Sequence, residues 1–542
     1  MNKRCSIVRV FIIWIAGLLF LGSAQASDGG QDIFRQGVLP NGAVLRGERL
    51  AGSGLDGAAA ACVNCHRRSG LGASEGRIVI PPITGKYLFR AHSTNIRDMD
   101  MPHVPGYRSV REPYTDASLA RVIREGIGPN GRFLSDLMPR FKLNEEDMAA
   151  LIDYLKQLGI GKVPGVSEDT LHFATIITPD TDPAKRKAMV EVIQRFFIDK
   201  NEFIRGGLRP LQANREIEYR VSRRWQLHIW ELVGPPQSWE QQLRHHFELE
   251  PVLAVISGLG NRTWGPIHHF CEVTRLPCLL PNVELPVVAE GDFYPVYFSR
   301  GVLLEADLIA SHVLANKDSL GLRRVVQIYH GNDVGADAAA QLQMGLKDQG
   351  IQVINRVVDD LPLSPKKLAK ALQGLSAADG LVLWLRPGEI AMLPAVLPNG
   401  AVAMMSGLMG GLEQAPVPSS WRASLLMTYP ADLPERRKIR MNFPLSWFKI
   451  RNIAVVDERM QTDTYVACGI LAETLTEMLD SFVPDYLIER LESMLSHRLV
   501  NGYFPRLSLA PGQRFASKGG YLARFIDLDG AQVVADGDWL VP

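Results

Sequence analysis

Ala61-Cys62-Val63-Asn64-Cys65-His66 sets two thiols in C-x-x-C spacing with an imidazole directly after the second. Thiols at that spacing attach to the vinyl groups of a haem while the next imidazole reaches the iron, so the motif reads as covalent haem attachment. Two other chemistries share a C-x-x-C pair. Structural zinc would want a second ligand pair at matching spacing, which the sequence lacks. A thioredoxin-type pair follows a strand and opens a helix, whereas here the Gly/Ala-rich stretch 52–61 leads in. An electron-carrying haem iron usually takes a second axial ligand, and Leu137-Met138-Pro139-Arg140-Phe141 offers a thioether. Leu143, Met148, Leu151, Ile152, Leu155 and Leu158 follow at the spacing of one helix face, with Asn144 as N-cap and Glu145, Glu146 and Asp147 in the first turn. Met99, Met101, His92 and His103, in a Pro/His-containing loop over 86–113, compete for the distal place. Met138 is preferred because His/Met ligation is the electron-transfer pattern and Met138 alone precedes the final helix.

These features resemble a class I cytochrome c over residues 32–158, on the C-x-x-C-H, the Met-Pro loop and a closing helix that ends in Tyr154-Leu155. The resemblance implies an all-α domain with one covalent haem c, held by Cys62 and Cys65, with His66 proximal and Met138 distal on the iron. Met99 and Met101 then pack over the haem edge.

The elements around this motif exceed one core. The chain has 542 residues, 46% of them hydrophobic, so two or three compact units are expected. Its 59 basic and 58 acidic side chains leave a formal charge of +1, which carries no electrostatic footprint for nucleic acid. A basic start, an apolar run over 10–21 and Ala24-Gln25-Ala26 predict a signal peptide over 1–26, cleaved before Ser27. That run is short for a membrane span and no later run approaches span length, so the mature chain is expected to be periplasmic and soluble, without a membrane span. Cys5 leaves with the signal. Cys271 and Cys278 are placed to form a short-loop disulfide or to remain buried thiols, and Cys468 reads as a small core residue.

Residues 27–160 are taken as the cytochrome domain, the Gly/Pro stretch within 161–170 as a linker, and 171–542 as an α/β domain. Apolar strands at 173–177, 252–256 and 276–280 alternate with a helix capped by 178–183, whose apolar face runs through Met189, Val192, Ile193, Phe196 and Phe197, and with helices at 239–246 and 267–274. After a long helix near 301–315, a second series places strands at 325–329, 351–358, 380–385 and 401–405 and helices at 336–349 and 365–375. Two such series predict two Rossmann-like lobes, with a ligand cleft beyond the carboxyl ends of their strands. His268 and His269, adjacent on a helix, point in different directions and do not read as a metal pair.

The run 252–258, the stretch 272–282 and Tyr297-Phe298-Ser299-Arg300 resemble the first lobe of type I periplasmic binding proteins, the substrate-binding components of branched-chain amino-acid ABC transporters. Residues 325–335 are similar to the opening of their second lobe, and 465–479 to the helix that returns to the first. The resemblance implies closure of two lobes on a small molecule, with Ser257 and Asn282 to Glu284 at the cleft, and Asn332, Asp333, Trp384 and Arg386 join them as cleft candidates because they stand at predicted strand ends. It keeps Ser257 but puts Asn282 to Glu284 where a small Ser/Thr/Ala loop is usual, and Val334 where Tyr is usual. Those departures, with Glu284 set to repel a carboxylate, argue against leucine, isoleucine or valine as ligand.

The expected protein is a c-type cytochrome with electron-transfer activity joined to a solute- or partner-binding module, with a redox partner protein and no catalytic residues assigned. The rivals are a haem-linked subunit of a periplasmic dehydrogenase or oxidase, and an ABC-transporter solute-binding protein or sensor with a haem reporter.

Overall fold

The computed structural model describes residues 29–49, 52–75, 78–89, 112–205, 223–358, 364–397, 401–478, 481–498, 502–527 and 529–542. The signal segment 1–26 and His92, Met99, Met101 and His103 lie outside the described residues. The chain forms two compact units: one takes described residues of 1–66, 83–92 and 111–158, the other those of 67–82, 93–110 and 159–542.

The first unit is built on helices Gly29–Gln36, Asp116–Glu125 and Glu145–Gln157, packed through Ile33, Phe34, Leu119, Val122, Met148, Leu151 and Leu155. Asn144 caps the last helix, its side chain accepting from Asp147 N–H at 2.7 Å, and Thr115 with Ser118 forms a capping box on Asp116–Glu125. The unit is not all-α, which corrects the expectation from the family. Strands Arg46–Glu48, Gly54–Asp56 and Arg140–Phe141 make a three-stranded antiparallel sheet. Gly47 allows it: a Cβ there would lie 2.9 Å from the Phe141 ring and 3.0 Å from Pro139. Pairing Gly47 with Phe141 and Glu48 with Arg140 anchors the chain directly after Met138.

The second unit holds two sheets. In the first lobe Thr170–Ile177 is flanked by parallel strands Arg224–Glu231 and Ala254–Ile256, followed outward by Cys278–Leu279 and Pro295–Val296. In the second, Arg324–Tyr329 pairs in parallel with Gln352–Val357 and Asp379–Trp384, followed by Val402–Met405 and Leu425–Tyr429. Tyr521–Phe525 and Val533–Ala535 close that sheet antiparallel. The central parallel strands Ala254–Ile256, Asp379–Trp384 and Val402–Met405 are largely apolar and buried, whereas the flanking Arg224–Glu231 and Gln352–Val357 are mixed. Helices Pro183–Arg205, Glu458–Met478 and Pro484–Leu495 pack on the first lobe's core, which also takes in Leu71. Ser69 donates to Glu489 through its amide at 3.0 Å and its hydroxyl at 2.5 Å, and the Arg68 guanidinium lies 4.2 Å from the Phe293 ring centroid. The segment after His66 is therefore part of the α/β unit. Cys271 and Cys278 form a disulfide, and Cys468 is a buried thiol in the core. Among the described residues no helix is long and apolar enough to cross a membrane.

Leu487 is fully buried in the first lobe's core. Leu487→Ala is expected to cost about 2–5 kcal/mol through the cavity it leaves. Urea unfolding of the α/β unit checks this, and a loss below about 1 kcal/mol would contradict close packing there.

Candidate functional sites

The C-x-x-C-H motif forms the single helical turn Val63–His66, with His66 N–H donating to Cys62 C=O at 2.9 Å and Cys65 N–H at 3.2 Å. Asn64 fastens the turn, donating through Nδ2 to the carbonyls of Ala58 at 2.7 Å and Ala59 at 3.3 Å. Cys62 and Cys65 are free thiols and His66 is buried. Burial pushes the Cys62 thiol up to about 12, so it stays neutral at physiological pH. Met138 is half-buried and its carbonyl accepts from Arg140 Nη1, while Pro139 is buried.

These residues fit a haem. Two unbridged thiols, an imidazole and a thioether make up the donor set of a His/Met haem c. Arg140 Nε and Nη2 are buried without a hydrogen-bond partner, which suits the propionate of such a group. Phe133 and Leu137 stay exposed at 74% and 49%, apolar surface near Met138 in sequence for a porphyrin to cover.

The interlobe cleft is built by strand ends. Asn282 Nδ2 donates to Ser257 Oγ and Thr464 Oγ1, each at 3.0 Å, and Ser257 is closed in at 1% exposure. Its φ of +54°, followed by Gly258 at +132°, marks the sharp turn after Ala254–Ile256. From the second lobe Arg386 donates to both Asp333 oxygens at 2.7 Å and to Glu284 Oε2 of the first lobe at 2.7 Å. Burial alone would raise the Asp333 carboxyl, but Arg386 outweighs it and holds the group below its ordinary range. Gly301 permits the approach of the next helix to Glu284: its φ is +56°, and a Cβ would lie 2.0 Å from the Glu284 carbonyl oxygen.

The structure thus brings Ser257 to Asn282, and Glu284 to Arg386 and Asp333. Asn332 is exposed. Trp384 is fully buried in the second lobe's core, with Nε1 donating to Gln327 at 2.9 Å, so it does not face the cleft. Glu284 is not a bare repelling charge, because Arg386 compensates it. Val334 is also buried, with its side chain in the second lobe's core. His268 is buried between Tyr297 Oη at 2.7 Å and Asp292 at 2.5 Å, while His269 is exposed.

Sequence reasoning missed Arg459 and Asp463, which line a cavity of about 30 Å³ with Asn282 from the first lobe and Leu408 from the second. The signal was present in Gln461-Thr462-Asp463-Thr464, four successive polar residues that all lie buried in Glu458–Met478. It also missed Glu305, fully buried, which accepts from Thr428 Oγ1 at 2.7 Å, Leu408 N–H at 2.9 Å and Ser406 Oγ.

Residues 52–159 match the family model for cytochrome c, which implies haem c. The fold of the larger unit is that of ABC-transporter substrate-binding proteins. The fatty acid ABC transporter substrate-binding protein from Thermomonospora curvata is 15% identical, covers 71% of this chain and 95% of its own, and has a TM-score of 0.50. A substrate binding protein of an ABC transporter from Aeropyrum pernix is 11% identical over 69% of this chain and 96% of its own, with a TM-score of 0.51. Identity this low shows the fold alone. No curated protein matches the sequence. The chain therefore combines a cytochrome c segment with a unit of periplasmic-binding-protein fold.

Burial pushes Glu305 up to about 7, against the three hydrogen bonds it accepts. A carboxyl raised in the folded state binds its proton more tightly there than in the unfolded chain. Its stabilising share is full below the ordinary carboxylate range and is lost as pH rises toward 7. Thermal unfolding between pH 5 and 8 is expected to show this fall, and Glu305→Gln to flatten it, leaving the shares of Asp463 and Glu489, also raised by burial. An unchanged slope in the variant would contradict this assignment.

Proposed function

We propose that the protein is a periplasmic c-type cytochrome with electron-transfer activity, whose α/β domain binds a small solute. The observation that carries this reading is the coexistence of two free thiols and a buried imidazole on one anchored turn, inside the segment that matches cytochrome c. Cys62 and Cys65 would hold one haem covalently, with His66 and Met138 as its axial ligands. When bound, that haem supplies one-electron exchange at its iron. Asn64 holds the attachment turn, the pairing of Glu48 with Arg140 holds the Met138 loop, and Arg140 offers its free guanidinium nitrogens to an anionic propionate. The domain limits proposed are 27–160 and 171–542, with a linker at 161–170, the first span being interrupted where 67–82 packs with the α/β unit. A redox partner protein completes the electron path.

Met138→Ala tests the ligation. The variant is expected to lose the near-infrared sulfur-to-iron charge-transfer band and to fall in reduction potential, since a Met/His pair raises it. Retention of the band would move the distal ligand to Met99 or Met101.

A further inference from the structure

Arg459 and Asp463 stand at i and i+4 on Glu458–Met478, the spacing at which oppositely charged side chains normally meet. Here they do not pair. Both line the interlobe cavity, and Asp463, 5% exposed, leaves Oδ1 buried without a hydrogen-bond partner. The other acids around Arg459 are already engaged: Asp457 with Lys185 at 2.7 Å and Glu284 with Arg386 at 2.7 Å. A guanidinium that lines a cavity and makes no ion pair at contact distance, beside an unsatisfied buried carboxyl oxygen, calls for one ligand that serves both.

We propose that this cavity binds a small hydroxycarboxylic acid, its carboxylate on Arg459 and its adjacent hydroxyl on Asp463. This rests on the reading of the α/β unit as a solute-binding module. A guanidinium matches a carboxylate in a planar fork, and a hydroxyl can donate to Oδ1 or accept from a protonated carboxyl. An ammonium in the hydroxyl's place is disfavoured. Asp463 is faced by the cations Arg459 and Arg437 as well as by the Asp457 carboxylate, and burial lifts it to about 7, so it is a weak counter-ion at neutral pH. The cavity of about 30 Å³ has room for only about two water-sized groups as the lobes stand, fewer than the five non-hydrogen atoms of glycolate, so the ligand is a short chain that enters with the lobes parted.

The test is calorimetric titration of the full-length, haem-loaded protein with glycolate and L-lactate, compared with acetate and L-alanine. Glycolate or lactate is expected to bind, and acetate and alanine about tenfold to a hundredfold more weakly, the cost of leaving a buried polar group unpaired. Arg459→Met should abolish binding, Arg459→Lys restore part of it, and both should keep a cooperative unfolding transition and the wild-type haem spectrum. Equal binding of acetate or alanine overturns the proposal. If neither hydroxy acid binds while denaturation releases a solute of another class, this ligand assignment fails and the solute-binding reading stands. If neither binds and no solute is released, both fail.

Discussion

One guanidinium ties the two lobes of the α/β unit. Arg386 follows Asp379–Trp384, and Asp333 follows the neighbouring parallel strand Arg324–Tyr329, so the second lobe's own register sets their bidentate pair. The remaining nitrogen of the fork reaches Glu284, just beyond strand Asn282–Val283 of the first lobe. Removing the arginine would leave two carboxylates facing a cleft without compensation, a far larger penalty than the net worth of the pair. Strand register, lobe approach and charge balance at the cleft mouth thus meet at one side chain.

The cleft's chemistry follows from which acids have partners and which do not. Glu284, Asp333 and Asp457 are paired, while Glu305 has hydroxyl and amide donors but no cation. Asp463 has an oxygen with neither. Carboxyls whose burial outweighs the donors and cations near them keep their protons to higher pH, so this unit is expected to hold best on the acid side of neutrality.

The sequence disclosed what is set by local spacing. The C-x-x-C-H turn is legible because its residues are contiguous in the chain, and the central parallel strands are legible because burial on both faces makes them apolar runs. Strand Cys278–Leu279 is shorter than its apolar run, since Leu280 turns to a φ of +55°. The strands Arg46–Glu48, Gly54–Asp56 and Arg140–Phe141 contain no β-branched residue and give no period to read. Trp384 lies at a strand's end, where a cleft position was expected, but tertiary packing turned its indole inward to Gln327. Arg459 and Asp463 look like an ordinary surface pair in the sequence, and only the fold places them on one cavity with Asn282 and Leu408.

The central claim is a covalent haem in a chain that also carries a solute-binding fold. Intact-mass measurement under denaturing conditions, on protein exported from cells with haem-attachment machinery, tests it most directly. The expected result is a chain heavier by one haem that stays attached through denaturation and is lost from a Cys62→Ser/Cys65→Ser variant. A chain at its unmodified mass, or a haem that dissociates on denaturation, would contradict it.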